Sequence, residues 1–291
     1  MLTARSRNAM ALGPWRRRRR MHHRLRQLDR LDAGGPGDAR RLSPGDTIRK
    51  LTAALLAFVL TAAVAGIFAH KHFGLTLSRD GFRVASPLGQ PPELVAGGGS
   101  FAYLFTQEGS DEPVAYDPCK PVQYLVNDDL APEGASLILD SAIAEVSAAT
   151  GLVFEPVGAT SELPPDDPSA LAARRGPVLI AWTTPWVVSD LEGRIAGLGG
   201  STPVRDDYTG RLRYVTGTVS LDAPQMFVLM AQPNGPAHAR AIVMHELGHL
   251  VGLDHVDDSR ELMHFDNVGK PGFGPGDRQG LAALGSGSCF H

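Results

Sequence analysis

The stretch His245-Glu246-Leu247-Gly248-His249-Leu250-Val251-Gly252-Leu253-Asp254-His255 holds three imidazoles and two carboxylates within eleven residues. On a helix, His245 and His249 lie one turn apart on the same face, roughly 6 Å from each other. That spacing lets both rings reach one tetrahedral Zn²⁺ at about 2.0–2.1 Å. Glu246 stands one residue further round, where its carboxylate can take a proton from an attacking water without ligating the metal. Gly252 permits a sharp end to the helix, and the chain reversal can return His255 as third ligand. A fourth position stays open, the arrangement of a catalytic rather than a structural zinc.

The pattern is specific. In a chain of 291 residues with ten histidines, HExxH arises by chance roughly once in a hundred chains, and with Gly252 and His255 about once in twenty thousand. Eight residues after His255 comes Met263, in Ser259-Arg260-Glu261-Leu262-Met263-His264. Here the chain resembles the metzincin zinc proteases, whose H-E-x-x-H-x-x-G-x-x-H precedes a Met-turn beneath the metal. The eight-residue gap is most similar to the matrixin branch. The resemblance implies a zinc endopeptidase with one catalytic ion, ligands His245, His249 and His255, general base Glu246, and Met263 supporting the site from below. A metzincin-fold binding module without useful turnover is the alternative.

Two departures qualify the likeness. Where matrixins usually carry a proline after the methionine, this chain has Phe265, which also lacks the oxygen of the astacin tyrosine. Residues 190–224 contain no histidine, so no second, structural zinc of the matrixin kind is expected. Calcium stays open as a further cofactor without a clear motif, and Asp166-Asp167 is a minor candidate cation site.

The elements that must position this site read as an α+β fold, a twisted mixed sheet with two long helices and a C-terminal helix. Val122 to Val126 is rich in β-formers, and Leu139, Ile143 and Val146 mark a helix over Ala135–Thr150 stopped by Gly151. Leu152–Val157 and Val178–Trp182 are the next strands, with 161–169 (SELPPDDPS) a surface loop between them. Arg213–Leu221 is a further strand, with Val215, Val219 and Leu221 on one face and threonines and Ser220 on the other. The resemblance assigns Ile195–Gly200 to the antiparallel edge strand that lines the cleft. Gly197, Leu198 and Gly199 are therefore candidate substrate-binding residues, their glycines admitting a substrate backbone as an extra strand. A plain loop or bulge is the competing reading. Pro236 opens the motif helix, and His238 reads as a first-turn surface residue rather than a ligand. His264–Pro271 should wall the pocket beside the metal. Asp277 is expected to cap a last helix over about Arg278–Leu284.

The first part of the chain has another character. Residues 1–50 carry a net charge of +10, and residues 51–291 carry −13. The basic segment, with Arg16 to Arg20 at its centre, reads as a disordered cytoplasmic tail. Its few aromatics give little support to nucleic-acid binding. Leu51 to Ala69 is uncharged over nineteen residues, about 28 Å as a helix, and reads as a single transmembrane signal-anchor. Positive charge before it and acid after it put the N-terminus inside and the protease domain outside the cell membrane. Cleavage near Ala65, with secretion, is the alternative. Residues 70–100 read as a stalk, and 101–291 as the matrixin-like domain, monomeric and acting on polypeptide. Cys119 and Cys289 are the only cysteines, and an extracytoplasmic setting favours one disulfide joining the domain's ends. The alternative is Cys119 on the zinc as a latency switch, although Asp117-Pro118-Cys119-Lys120-Pro121 lacks the family's usual setting.

Overall fold

The structure, a computed structural model, describes residues 44–73, 75–78, 81–93, 97–207, 209–266 and 269–290. Most of the basic tail, including Arg16 to Arg20, lies outside the described residues. The chain divides into two units, residues 1–64 and 65–291.

Helix α1 runs Pro44–Phe73 across that division and encloses the stretch read as the anchor. Its described apolar side chains are exposed, Phe58 at 72% and Ile67 at 67%. Among the described residues no helix is long and apolar enough to cross a membrane, the described side chains of α1 being unbroken only from Leu55 to Phe68. A short hairpin follows, β1 Leu75–Ser78 paired antiparallel with β2 Gly81–Val84. Part of residues 70–100 then packs on the rest of the second unit. Leu88 N–H donates to Pro118 O at 2.9 Å, and Gly89 approaches Gly151 too closely for any side chain.

In the second unit, β3 is Ala102–Tyr103, β4 Val122–Asn127, β5 Phe154–Ala159, β6 Val178–Thr183 and β7 Gly197–Ser201. A hairpin of β8 Val204–Arg205 and β9 Leu212–Arg213 precedes β10 Gly217–Asp222. The main sheet has the order β5-β4-β6-β10-β7. Its first four strands are parallel, and β7 is antiparallel at the edge. Helix α2, Ala135–Thr150, crosses from β4 to β5 and buries Ile138, Leu139, Ala142, Ile143 and Val146. It packs against α5, Gly235–Val251, and against the last helix, α6, Pro275–Gly285. Strand β6 (VLIAWT) is buried throughout, as a parallel strand covered on both faces must be.

Three expectations are revised. Strand β10 does not alternate between a buried and an open face. Thr218 and Ser220 are as enclosed as Val219 and Leu221, because the loop through Asp166 folds over them, its carboxylate accepting from Ser189 N–H and Oγ–H. Asp277 caps α6 from its first turn rather than from the cap position, which Gly274 holds, its carboxylate accepting from Gly274 N–H at 2.9 Å. Two short helices were not foreseen: α3, Pro168–Ala173, and α4, Ala223–Met230. The second had a local signal in Asp222-Ala223-Pro224, and Asp222 Oδ1 does accept from Gln225 N–H at 3.2 Å.

Cys119 and Cys289 form a disulfide across a sequence separation of 170. In the chain-entropy picture such a loop contributes at most about 5 kcal/mol. Bonded to Cys289, Cys119 has no thiolate to offer a metal.

Candidate metal centre and cleft

Helix α5 starts after Pro233-Asn234, with Pro236 in its first turn, and buries almost every residue from Ala239 onward. It ends at Gly252, whose φ of 125° only glycine adopts readily. Gly252 N–H closes the helix onto Gly248 O and His249 O, and its own carbonyl accepts from Leu104 N–H at 3.0 Å. The next two residues, Leu253–Asp254, form β11 against β3. This short pairing turns the chain back so that His255 faces the helix.

The result is a triangle of nitrogens. The Nε2 atoms of His245, His249 and His255 lie 3.1 Å apart in all three pairs, and no other group of described His, Cys, Asp or Glu side chains could hold a metal ion. His245 Nδ1 is 2.8 Å from Leu262 O, and His249 Nδ1 is 2.8 Å from Leu253 O. A carbonyl accepts only, so both Nδ1 atoms must carry the proton and both Nε2 atoms present lone pairs. Burial pushes His245 down to about 3 and His249 to about 4, their mutual proximity adding to the effect for His245, and burial also lowers His255. Converging lone pairs on neutral rings repel one another unless a cation lies between them. A zinc ion about 2.0–2.1 Å from each nitrogen fits a triangle of that size.

Met263, 1% exposed, packs against the motif helix at Gly248. Its sulfur would be 2.7 Å from a Cβ at Gly248, so the thioether occupies the space that glycine leaves on the helix. The turn that carries it is held twice. Val256 N–H donates to Met263 O at 3.0 Å. Leu262 and Met263 N–H donate to the Asp277 carboxylate at 2.5 and 3.3 Å. Glu261, fully buried, accepts from Gly276 and Asp277 N–H at 2.9 and 3.0 Å. Nothing local in the sequence distinguishes Glu261 from a surface acid, and Asp277 reads there only as a helix cap.

Glu246 lies between α5 and β7. Burial pushes its carboxyl up to about 8, and a hydrogen bond from Gly199 N–H offsets part of that shift. A cation beside it would draw the value down again. The segment Gly197–Ser201 is the edge strand, not a loop. Asp222 N–H donates to Ala196 O, so by the period of two the peptide groups of Gly197 and Gly199 face away from β10, toward the cleft. The two glycines also allow a close approach on the helix side. Their hydrogens point at Glu246: a Cβ on Gly197 would sit 2.7 Å from Glu246 Cγ, and one on Gly199 would be 2.7 Å from the Glu246 carbonyl carbon. They let the strand press against the motif helix.

A cavity of about 690 Å³ runs along this strand, lined by Gly197, Leu198, Gly199, Glu246 and the three histidines. Phe265, Asp266, Gly269 and Lys270 form part of its far wall, where a wall was expected, with residues 267–268 outside the described set. His238 also lines it but stands apart from the nitrogen triangle.

Residues 206–272 match the model of the matrixin peptidase family. The domain is matrixin-like. No curated protein matches the chain. Among solved structures, an archaemetzincin from Methanopyrus kandleri is 18% identical, covering 55% of this chain and 92% of that one at a TM-score of 0.38. A GM1-bound ECX AB5 holotoxin is 12% identical, covering 58% and 81% at a TM-score of 0.36. The matrixin match spans the nitrogen triangle and Met263, so the matrixin-like region and the candidate centre coincide.

Proposed function

We propose that this chain is a zinc-dependent endopeptidase. The observation that carries the reading is the convergence of three bare imidazole nitrogens beside the buried Glu246 carboxylate, at the open edge of a sheet. His245, His249 and His255 would hold one Zn²⁺. When bound, the ion supplies a Lewis acid that acidifies water and polarises the scissile carbonyl. The protein's part is positioning and proton transfer. Leu262 O and Leu253 O fix the tautomers of His245 and His249. The outward Gly197 N–H and C=O and the Gly199 C=O pair with the substrate backbone as an added strand, while the Gly199 N–H stays with Glu246. Glu246 takes the proton from the attacking water and passes it to the leaving amine, its reach set by the Gly199 N–H.

The same reading places the domain outside the cell on a single-pass anchor at residues 51–69, supported by the charge asymmetry about that stretch and by the run of exposed apolar side chains on α1. The decisive experiment is turnover of a broad peptide library by the zinc-loaded protein, with and without chelator. Cleavage that chelation abolishes and zinc restores is expected; zinc bound at one equivalent without cleavage would leave a binding module. For the topology, external protease on intact cells should digest the region beyond residue 70 and spare the tail. A mature N-terminus near Gly66 recovered from the medium would establish secretion instead.

A further inference from the structure

We infer that the exposed face of α4 is an exosite that grips the polypeptide substrate on the C-terminal side of the cleaved bond, a reading that rests on the endopeptidase function above. Helix α4 buries only Ala223 and Met226. Phe227 is 67% exposed and Val228 61%. Single exposed apolar residues are ordinary, but a contiguous set beside a cleft marks a contact surface. Here the set is contiguous with the cleft itself. Leu229, the residue after Val228, lines the main cavity, as does Ile195, 43% exposed. On the outer side, the Met230 methyl lies 3.7 Å from the Cβ position of Gly134. One turn further along α2, Leu137 is 74% exposed.

The helix is also fixed in place. The Gln225 side-chain amide donates toward Ile195 O at 3.1 Å, Gly193 O at 3.2 Å and Asp222 Oδ2 at 2.9 Å. These bonds tie α4 to the turn that feeds β7. A docking surface joined in this way keeps its distance from the edge strand.

Strand direction decides which part of the substrate arrives there. A peptide adding to β7 in the more stable antiparallel sense runs from Gly200 toward Gly197. Glu246 lies against Gly197 and Gly199, so the cleaved bond is opposite them. At about 3.3 Å per residue, the third to fifth residues after that bond pass Ile195 and reach Val228 and Phe227. Glu192 and Arg194, both exposed, balance each other at this exit. The selection is therefore for apolar side chains rather than for charge.

The test uses the zinc-loaded full chain and the double substitution Phe227→Ser, Val228→Ser, which changes only exposed side chains; equal thermal midpoints check the fold. Three peptides share one cleavable core: one ends two residues after the bond, one continues with leucines, one with serines. The parent should prefer the leucine extension about tenfold in kcat/KM. The variant should lose that preference while cleaving the short peptide at the parent rate. In parallel, fluorescence anisotropy follows the leucine peptide on Glu246→Ala protein with and without the double substitution, and the substitution should weaken binding. If the parent cleaves nothing yet binding depends on the patch, the endopeptidase reading fails and the docking surface stands. An unchanged preference in the variant, or a preference set only by residues before the bond, overturns the exosite. So does sedimentation or vesicle binding that shows the patch covered by a second copy or by lipid in the parent alone.

Discussion

Gly199 and Glu246 are in backbone contact across the cleft floor: a Cβ on Gly199 would come within 2.7 Å of the Glu246 carbonyl carbon, and closer still to its oxygen. The strand that receives the substrate and the helix that carries the base are thus separated by one hydrogen atom. Gly199→Ala should push β7 off α5, costing about 1–3 kcal/mol as overpacking does, and should lower turnover more than it lowers stability. Gly200→Ala, where a Cβ meets nothing within 4 Å, is the control and should be near neutral. Thermal midpoints and kcat/KM on the pair check this. Equal behaviour of the two variants would mean the strand does not seat on the helix as described.

Metal retention and catalysis should separate by residue. Glu246→Ala leaves all three nitrogens in place, so zinc should stay near one equivalent while hydrolysis falls by roughly 10²–10⁴-fold or more. His249→Ala removes one corner of the triangle and should release the metal. His255→Ala should do the same, whereas Asp254→Asn should keep it, since Asp254 Oδ1 only accepts from the His255 N–H at 2.7 Å. Zinc stoichiometry and turnover measured on the same preparations decide. Loss of metal in Asp254→Asn with retention in His255→Ala would assign the third ligand wrongly.

What could be read beforehand was local. The motif, the α2 span ending at Gly151 and the edge position of Gly197–Ser201 each rest on spacing within a few residues, on helical and strand periods, or on family likeness. What could not be read depends on partners far away in the chain. Thr218 and Ser220 look like an open strand face until the loop carrying Asp166 closes over them. That the glycines of β7 also seat the strand on α5 shows only once that helix is packed beneath them. Helix α4 had its signal, a capping Asp222 followed by Pro224, but lies between two stronger patterns. Asp277 was correctly placed near the start of α6, yet its main partners, Leu262 and Met263, lie fifteen and fourteen residues upstream.

That position of Asp277 makes it a brace for the metal site. Its fully buried carboxylate accepts from Leu262, Met263 and Gly274 N–H, and Leu262 O in turn holds the His245 ring. Asp277→Ala leaves those buried donors unpaired, at about 1–3 kcal/mol for each group left unsatisfied. Both the urea midpoint and the time zinc stays bound should fall, with Asp277→Asn intermediate because one amide oxygen can still accept. A variant that loses stability but releases zinc at the parent rate would confine Asp277 to the fold.

The last expectation concerns pH in the metal-free protein. Burial holds His245 at about 3 and His249 at about 4 against an ordinary 6.5, and holds Glu246 at about 8 against 4.5. Between pH 4.5 and 6.5 the unfolded chain binds two imidazole protons that the native chain lacks, and the native chain keeps one Glu246 proton that the unfolded chain has lost. The unfolded state binds more protons, so these groups make stability rise with pH. Between 6.5 and 8 only the Glu246 difference remains, its sign is opposite, and stability falls because the native carboxyl stays protonated while the unfolded one is ionised. Glu246→Gln removes that second limb and steepens the first. Urea midpoints of chelator-treated parent and variant should therefore diverge from about pH 4.5 upward, the parent declining above about pH 6.5 while the variant holds level. Excess zinc should erase the parent's decline, because a cation beside Glu246 stabilises its charged form. If parent and variant keep a constant difference from pH 6.5 to 8 without metal, Glu246 is already ionised in the native protein.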